Sequence, residues 1–329
     1  MIHYAEAHDL TLSLLTGAGF APERAATITE AILLADVWGL PSHGLLRLPY
    51  YLDRCAAGGY RVDAELTTTE DTGPLVTLDG AGGLGHWQVK AAAELARDRC
   101  LRYGIAAVAV ADSGHCGALG AYTLPLVNAG LAGLVFSNGP AVMAPWGSNT
   151  RLLSTSPIAA GIPVPDRPAI VDLALSAVAR GTIAAKAQAG EPLPEGWALD
   201  AGGEPTTDAR AALHGLLAPL GGAKGYALAF LVESLTGGMV GPNLSADVPD
   251  FFDADSNHQP QGIAHLVVAL DPRRTTPGDA DARLRDLAKR VGDSGGRIPG
   301  GRRLLPAEIT GDTPLAVADA VLADLRARA

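Results

Sequence analysis

Apolar positions change rhythm three times along this chain. In HDLTLSLLTGAGF and APERAATITEAILLADVWGL they recur with a period near 3.6, which predicts two amphipathic helices. Gly17 and Gly19 close the first, and Pro22 lies near the start of the second. After Gly58 and Gly59 the helical texture of the first sixty residues gives way to short apolar runs bounded by Gly, Asp, Asn and Ser. TGPLVTLDG, GIAAVAVADSG, LAGLVFSNG and PAIVDLALS read as buried strands. GHWQVKAAAELARDRCLRY, between the first two, is an amphipathic helix, and GALGAYTLPLVNAG is a helix candidate between the next two. EPLPEGWALDAGGEPTTD is a long loop or hairpin. Helical texture returns in GGAKGYALAFLVESLTGGMVG, DADARLRDLAKRVGD and PLAVADAVLADLRARA, with one more strand in IAHLVVALDP. The outline is helical, then mixed α/β, then helical, as expected when a sheet-bearing domain is inserted between two helical portions that pack together.

At 329 residues the chain exceeds what one core usually fills, so two domains are expected. A net charge of −10 without any basic run argues against nucleic acid, whose counterions only a basic face displaces. Aromatic residues are scarce, which disfavours base-stacking platforms. Cys55, Cys100 and Cys116 cannot all pair and have no CxxC spacing, so they read as reduced thiols of a cytoplasmic protein. The N-terminus lacks the basic and apolar regions of a signal peptide, and no apolar run approaches a membrane span of roughly 20 residues.

The chemistry-bearing stretch is GLPSHGLLRLPYY, Gly39 to Tyr51. One reading makes Ser42 a helix cap with His43 in the first turn and Arg47 on a solvated flank. The other makes it a catalytic cluster, in which His43 moves a proton and Arg47 holds a carboxylate in its planar fork. GAGGLG, Gly80 to Gly85, satisfies the dinucleotide fingerprint GxGxxG, but the next candidate acid, Asp112, comes late and no series of strand–helix units follows. A tight turn before a helix explains it better. His115 and Cys116 are adjacent and have no second ligand pair at zinc spacing. Asp253, Asp255, His258 and His265 read as turn formers rather than metal ligands, so no metal is expected. A hydrolase triad of Ser42, His43 and Asp172 is disfavoured, because sequence neighbours usually diverge and no GxSxG elbow exists.

In order along the chain, SHGLLRLPYY, GHCGALGAYT, NGPAVMAPWGS, STSPIAAGIPV, VDLALSAVARG, GEPLPEGWALDAGGEPTTD and PLGGAKGYALAFLVESLTGG resemble blocks of the malate/L-lactate dehydrogenase-like oxidoreductases. That family includes sulfolactate and ureidoglycolate dehydrogenases and cyclic imine carboxylate reductases. The resemblance implies an α/β, non-Rossmann NAD(P)-binding fold. Its helical domain would combine residues 1–70 and 225–329 and provide the substrate side and the dimer contact. Residues 71–224 would form the cofactor domain. It further implies a cytoplasmic homodimer that acts on a small carboxylate substrate with NAD or NADP, NADPH being the better fit to a reductase.

By the same resemblance His43 carries the proton, Asp172 orients its ring, Ser42 completes the relay, and Arg47 and Tyr51 bind substrate. His115 lies beside the nicotinamide and is the alternative proton donor. Cofactor contacts fall on the block from His115 through Gly117 to Gly120, on Asn138 and Gly139, on Asp172, Leu173 and Ala174, on Lys224, and more weakly on Arg302. Several positions depart from the family pattern. DMATS reads DLALS, Thr182 replaces a lysine, Gly139 replaces a hydroxyl residue, STSPIA replaces GTNPIA, and RIPGGRR lacks an acidic residue. The expected reaction is hydride transfer between nicotinamide and a 2-oxo or 2-hydroxy acid. The alternatives are reduction of a cyclic imine carboxylate and a non-catalytic ligand-binding role.

Overall fold

The computed structural model describes residues 1–275 and 278–329. Its centre is a seven-stranded mixed sheet. In chain order the strands are β1 (Thr67–Asp71), β2 (Leu75–Gly83), β3 (Ile105–Ser113), β4 (Ala132–Ser137), β5 (Ile158–Ile162), β6 (Ala169–Leu173) and β7 (Ile263–Leu270). Across the sheet they run β1-β2-β3-β7-β4-β5-β6. Only β2 and β3 pair in parallel, and every other neighbour is antiparallel.

Ahead of the sheet lie α1 (Tyr4–Gly17), α2 (Pro22–Val37) and α3 (Leu48–Ala57), and α4 (Gly85–Tyr103) makes the crossover that a parallel pair requires. Val89, Ala92, Ala93, Ala96 and Cys100 form one buried stripe of α4 against Val76, Leu78, Val108 and Val110. The alanines in that stripe let the helix approach the sheet closely. Gly104, at φ +88°, ends α4 with the left-handed residue that few side chains tolerate.

GAGGLG serves this same packing. The Gln88 amide donates to Gly80 O at 2.6 Å, and its Oε1 accepts from Ser113 Oγ at 2.6 Å. A Cβ at Gly80 would lie 2.6 Å from Gln88 Oε1, and one at Gly85 would lie 2.2 Å from Gly114 O. The space a pyrophosphate would need at this turn is filled by protein.

The chain ends meet. Ile2–His3 pairs with Pro314–Leu315, and Leu315, Leu322 and Leu325 share a core with Ala7, Leu14, Leu15, Ile28 and Ile32. Residues 225–329 are nevertheless not a helical unit. β7 lies in the middle of the sheet, hydrogen-bonded to β3 and β4. A run such as IAHLVVAL announces a strand but not its partners, because register and neighbours are set by non-local pairing. The helix Ala223–Glu233 also joins the sheet side, where Ala229 and Val232 pack with Phe136, Leu153 and Leu217. By contrast, Ala280–Asp293 buries no residue and lies on the surface. β1 and β5 were not legible as strands, β1 because TTTED is exposed throughout. Among the described residues no helix is long and apolar enough to cross a membrane.

Where α4 starts, the fold buries an imidazole layer. His86 and His265 are both fully buried. The Nε2 of His265 lies 3.1 Å from Gly114 O and 3.2 Å from Ser113 Oγ, whereas neither ring nitrogen of His86 has a partner among the described residues. Burial, with lesser effects from His43 and His265, holds His86 down at about 3, against an ordinary value of 6.5. Burial likewise lowers His265 to about 4.

A depressed folded-state value means that the unfolded chain binds the proton first. The stabilisation is therefore complete above pH 6.5 and is lost as the pH falls toward the folded-state values. His86→Leu should leave stability at pH 7.5 within about 1 kcal/mol of the parent, since it removes an unpartnered polar group at similar volume. It should also flatten the fall in melting temperature between pH 7 and pH 4.5. Thermal melts across that range check this, and an unchanged slope contradicts it.

Candidate active site

A cavity of about 300 Å³ opens at the end of β6 and brings together His43, Arg47, His115, Gly139 and Asp172. The 3-10 turn Pro41–His43 follows α2, and a second turn, Leu45–Arg47, carries the arginine. Asp36, near the end of α2, ties the two together by accepting Leu45 N–H at 2.8 Å. A Cβ on Gly44 would lie 2.2 Å from Asp36 Oδ1, so the SHG glycine is there to admit this carboxylate. Burial raises Asp36 to about 6, against the opposing bond from Leu45. Sequence reasoning missed Asp36. The available signal was an acid at the end of the apolar run AILLADV.

The tight turn also overrides the expectation that neighbouring Ser42 and His43 diverge. Ser42 Oγ lies 2.9 Å from His43 Nδ1, and Ser42 O accepts from Arg47 Nε at 3.3 Å. The Arg47 guanidinium packs near Tyr50, Phe251 and Phe252 at 5.5–5.6 Å, and among the described residues no carboxylate pairs with it. Its terminal nitrogens remain available to an anion. Burial first, and then this charge, lower His43 to about 4 from the ordinary 6.5, so the ring is neutral at pH 7.

His115 stacks on His43 with ring centroids 5.6 Å apart. Its Nδ1 accepts from Gly117 N–H at 3.3 Å and lies 2.7 Å from the Tyr51 hydroxyl, which therefore donates. The ring proton of neutral His115 then sits on Nε2, the nitrogen left for a ligand. Burial, with the charges of His43 and Arg47, holds His115 well below the usual histidine range. Tyr51 is fully buried behind His115 rather than lining the cavity, and its hydroxyl holds the imidazole from that side. Gln261, unforeseen from sequence, braces the same group by accepting from His115 N–H at 3.0 Å and the Tyr60 hydroxyl at 2.6 Å.

Asp172 does not orient His43. No hydrogen bond or ion pair joins them. The carboxylate instead accepts Gly120 N–H at 3.0 Å and lies 3.9 Å from Arg303 Nη1. It clamps the end of β6 to the loop from His115 to Gly120, where a Cβ on Gly120 would meet it at 2.9 Å. Burial raises its pKa, with Gly120 and Arg303 opposing. The proposed Asp172–His43–Ser42 relay is thus reduced to its Ser42–His43 half.

The Asn138 amide is spent on scaffold bonds, to Ala264 N–H and Asn243 O, each 2.9 Å. Leu173 and Ala174 line the cavity, as does Gly117, at φ +72°. A Cβ at Gly139 would find no atom closer than 3.9 Å, which leaves room for a flat group to approach the backbone. Lys224 is exposed on the first turn of Ala223–Glu233, outside the cavity. Arg302 lines a separate depression of about 840 Å³ with Trp38, Arg167, Arg297 and Arg303. The Arg303–Asp172 contact connects the two hollows, so Arg303, not Arg302, reaches the predicted site.

Of the residues weighed as metal ligands, Asp253 caps the turn Ala254–Ser256 and His265 is bound within the sheet. The cavity wall also contains Arg180, Asp250, Phe251 and Phe252, none foreseen from sequence. PDFFDADS reads locally as a solvated turn.

A profile of the malate/L-lactate dehydrogenase family matches residues 2–325. The chain is 37% identical to a (2R)-3-sulfolactate dehydrogenase (NADP(+)) of Chromohalobacter salexigens, over all of this chain and 98% of that one. It is 36% identical to a Δ1-pyrroline-2-carboxylate reductase of Ancylobacter novellus, over 98% of this chain and 96% of that one. The crystal structure of Δ1-piperideine-2-carboxylate reductase from Pseudomonas syringae pathovar tomato superposes with a TM-score of 0.89 at 31% identity, covering 100% of this chain and 99% of that one. By sequence and by fold, this chain belongs to the malate/L-lactate dehydrogenase family of oxidoreductases.

Proposed function

We propose that this enzyme is an NAD(P)H-dependent reductase of small 2-oxo acids, working reversibly on the corresponding 2-hydroxy acids. One observation carries the reading: the unpaired Arg47 fork stands beside two stacked, buried imidazoles in one cavity. The fit to a dinucleotide rests on the open backbone at Gly139, the glycine turn at Gly117 and the apolar wall of Leu173 and Ala174. Those positions would hold the nicotinamide end. The basic depression with Arg297 and Arg302 suits a phosphate-bearing end, which supports NADPH. When bound, the reduced cofactor supplies hydride to the carbonyl carbon.

The remaining steps belong to the protein. Arg47 binds the substrate carboxylate bidentately and so fixes the 2-oxo carbon. His115, locked by Tyr51 and Gly117, offers Nε2–H to the carbonyl oxygen and polarises it. As negative charge develops there, a proton must be delivered, and His43, protonated from solvent once substrate is bound, is the group to deliver it. Burial first, and the Arg47 charge second, hold His43 neutral while the site is free. A carboxylate on Arg47 offsets that charge, so His43 gains basicity when substrate arrives. In the reverse direction neutral His43 accepts the alcohol proton.

The same arrangement serves a C=N bond. Phe251, edge-on to His115 at 4.9 Å, favours a compact ring and supports cyclic imine carboxylates as the second substrate class.

A homodimer is part of the proposal. The helix Ala223–Glu233 presents Leu228, Phe230 and Leu231 outward, each about half exposed, on a segment that is apolar around its circumference. Such a helix calls for a partner.

These points lead to four measured outcomes. Steady-state assays with pyruvate and Δ1-piperideine-2-carboxylate, each with NADPH and NADH, should give turnover, and none with either class contradicts the proposal. His43→Ala should lower kcat by about 10²–10⁴ while fluorescence titration shows cofactor binding nearly intact. Arg47→Lys should chiefly raise KM for the acid, because a point charge cannot replace the fork. Sedimentation of Phe230→Glu should reveal a monomer where the parent is dimeric, and an unchanged distribution removes this helix from the interface.

A further inference from the structure

The cavity contains two guanidinium groups in opposite states. Arg47 has no acidic partner among the described residues, whereas Arg180, the first residue of the helix Arg180–Ala189, is already neutralised. Its Nη1 lies 2.9 Å from both carboxylate oxygens of Asp250, and its Cζ lies 4.6 Å from the Phe252 ring. The carboxylate is fixed from its own side as well. Asp250 Oδ1 accepts Phe252 N–H at 3.0 Å, and Asp250 O accepts from Ser256 Oγ at 3.3 Å. Arg54, fully buried, anchors the same loop by donating to Ser256 O at 3.2 Å and to Gln259 O.

Beside the reacting centre the cavity therefore presents, apart from Asp172 with its Arg303 contact, one uncompensated positive charge, on Arg47, and the closed Arg180–Asp250 pair. Phe251 and Phe252 supply apolar surface between them. A substrate with a single anionic group satisfies Arg47 and lays its remainder on the phenyl rings. A second anion would meet the Asp250 carboxylate or have to displace it from Arg180, and either is unfavourable.

We propose that Asp250 is a specificity-determining residue that reserves the site for monoanionic substrates, namely 2-oxo acids or cyclic imine carboxylates with an uncharged remainder, and excludes dicarboxylates and sulfonated acids. This rests on reading the cavity as a 2-oxo acid or imine carboxylate reductase site. Removing the Asp250 charge frees Arg180 as a second anion clamp in a position already built for it.

The test compares kcat/KM for monoanions (pyruvate, Δ1-piperideine-2-carboxylate) with that for dianions (oxaloacetate, 3-sulfopyruvate) in the parent, in Asp250→Asn and in Asp250→Asn/Arg180→Met. Asparagine keeps the acceptor for Phe252 N–H, and thermal melts verify folding. The parent should favour monoanions by about tenfold or more. Asp250→Asn should raise the dianion-to-monoanion ratio by about 10–100-fold, and the second substitution should cancel that gain. A parent that favours dianions, a ratio unmoved by Asp250→Asn, or a gain that survives loss of Arg180 overturns the proposal.

Shifts of melting temperature with oxamate and with hydroxymalonate give a readout independent of turnover. If no substrate reacts but oxamate stabilises the parent more than hydroxymalonate and Asp250→Asn reverses the order, the catalytic reading fails and the charge rule stands. Equal shifts in both proteins sink the rule itself.

Discussion

An uncompensated guanidinium beside a buried imidazole is the interaction on which the rest of this site depends. Arg47 is held by Ser42 O and surrounded by aromatic rings, with no carboxylate among the described residues to neutralise it. Burial first, with this charge adding to it, keeps His43 and His115 neutral. Such a cation is costly to leave unpaired, and the arrangement makes sense where a carboxylate ligand completes it. In the proposed mechanism a bound carboxylate would position the acid and cancel the Arg47 share of the lowering at His43, while the share due to burial would remain.

Much of the surrounding fold works to hold these groups still. Asp36 locks the two turns carrying His43 and Arg47. Tyr51 and Gly117 fix the tautomer of His115. Gln261, reaching from just ahead of the central strand β7, braces the His115 backbone, and Asp172 clamps the loop on its other side. Helix-bearing and sheet-bearing parts of the chain both contribute, so the site exists only where they meet. Asp172, which the sequence alone would place in catalysis, holds the loop at Gly120 here.

What could be read from the sequence was what is local. The limits of α4 followed from its apolar period and its flanking glycines, and SHGLLRLPYY carried its histidine and arginine within one tight segment. Sheet order was not legible, because IAHLVVAL is equally apolar whichever strands it pairs with. Tyr51 was placed in the right neighbourhood but meets His115 from behind the cavity, since a sequence does not reveal which side of a histidine a hydroxyl will approach. Asp250 and Arg180 escaped notice because the two are far apart in the chain and each looks solvated in its own segment. GAGGLG shows the converse: a complete motif whose glycines admit the Gln88 side chain instead of a phosphate.

The most direct test of the account is the protonation of His43, followed by NMR of isotope-labelled histidine across pH 3.5–8 with and without saturating oxamate. The free enzyme should titrate at about 4, and the oxamate complex at a clearly higher pH. A value near 6.5 in the free enzyme, or one that does not move when the carboxylate binds, would contradict the coupling between Arg47 and His43.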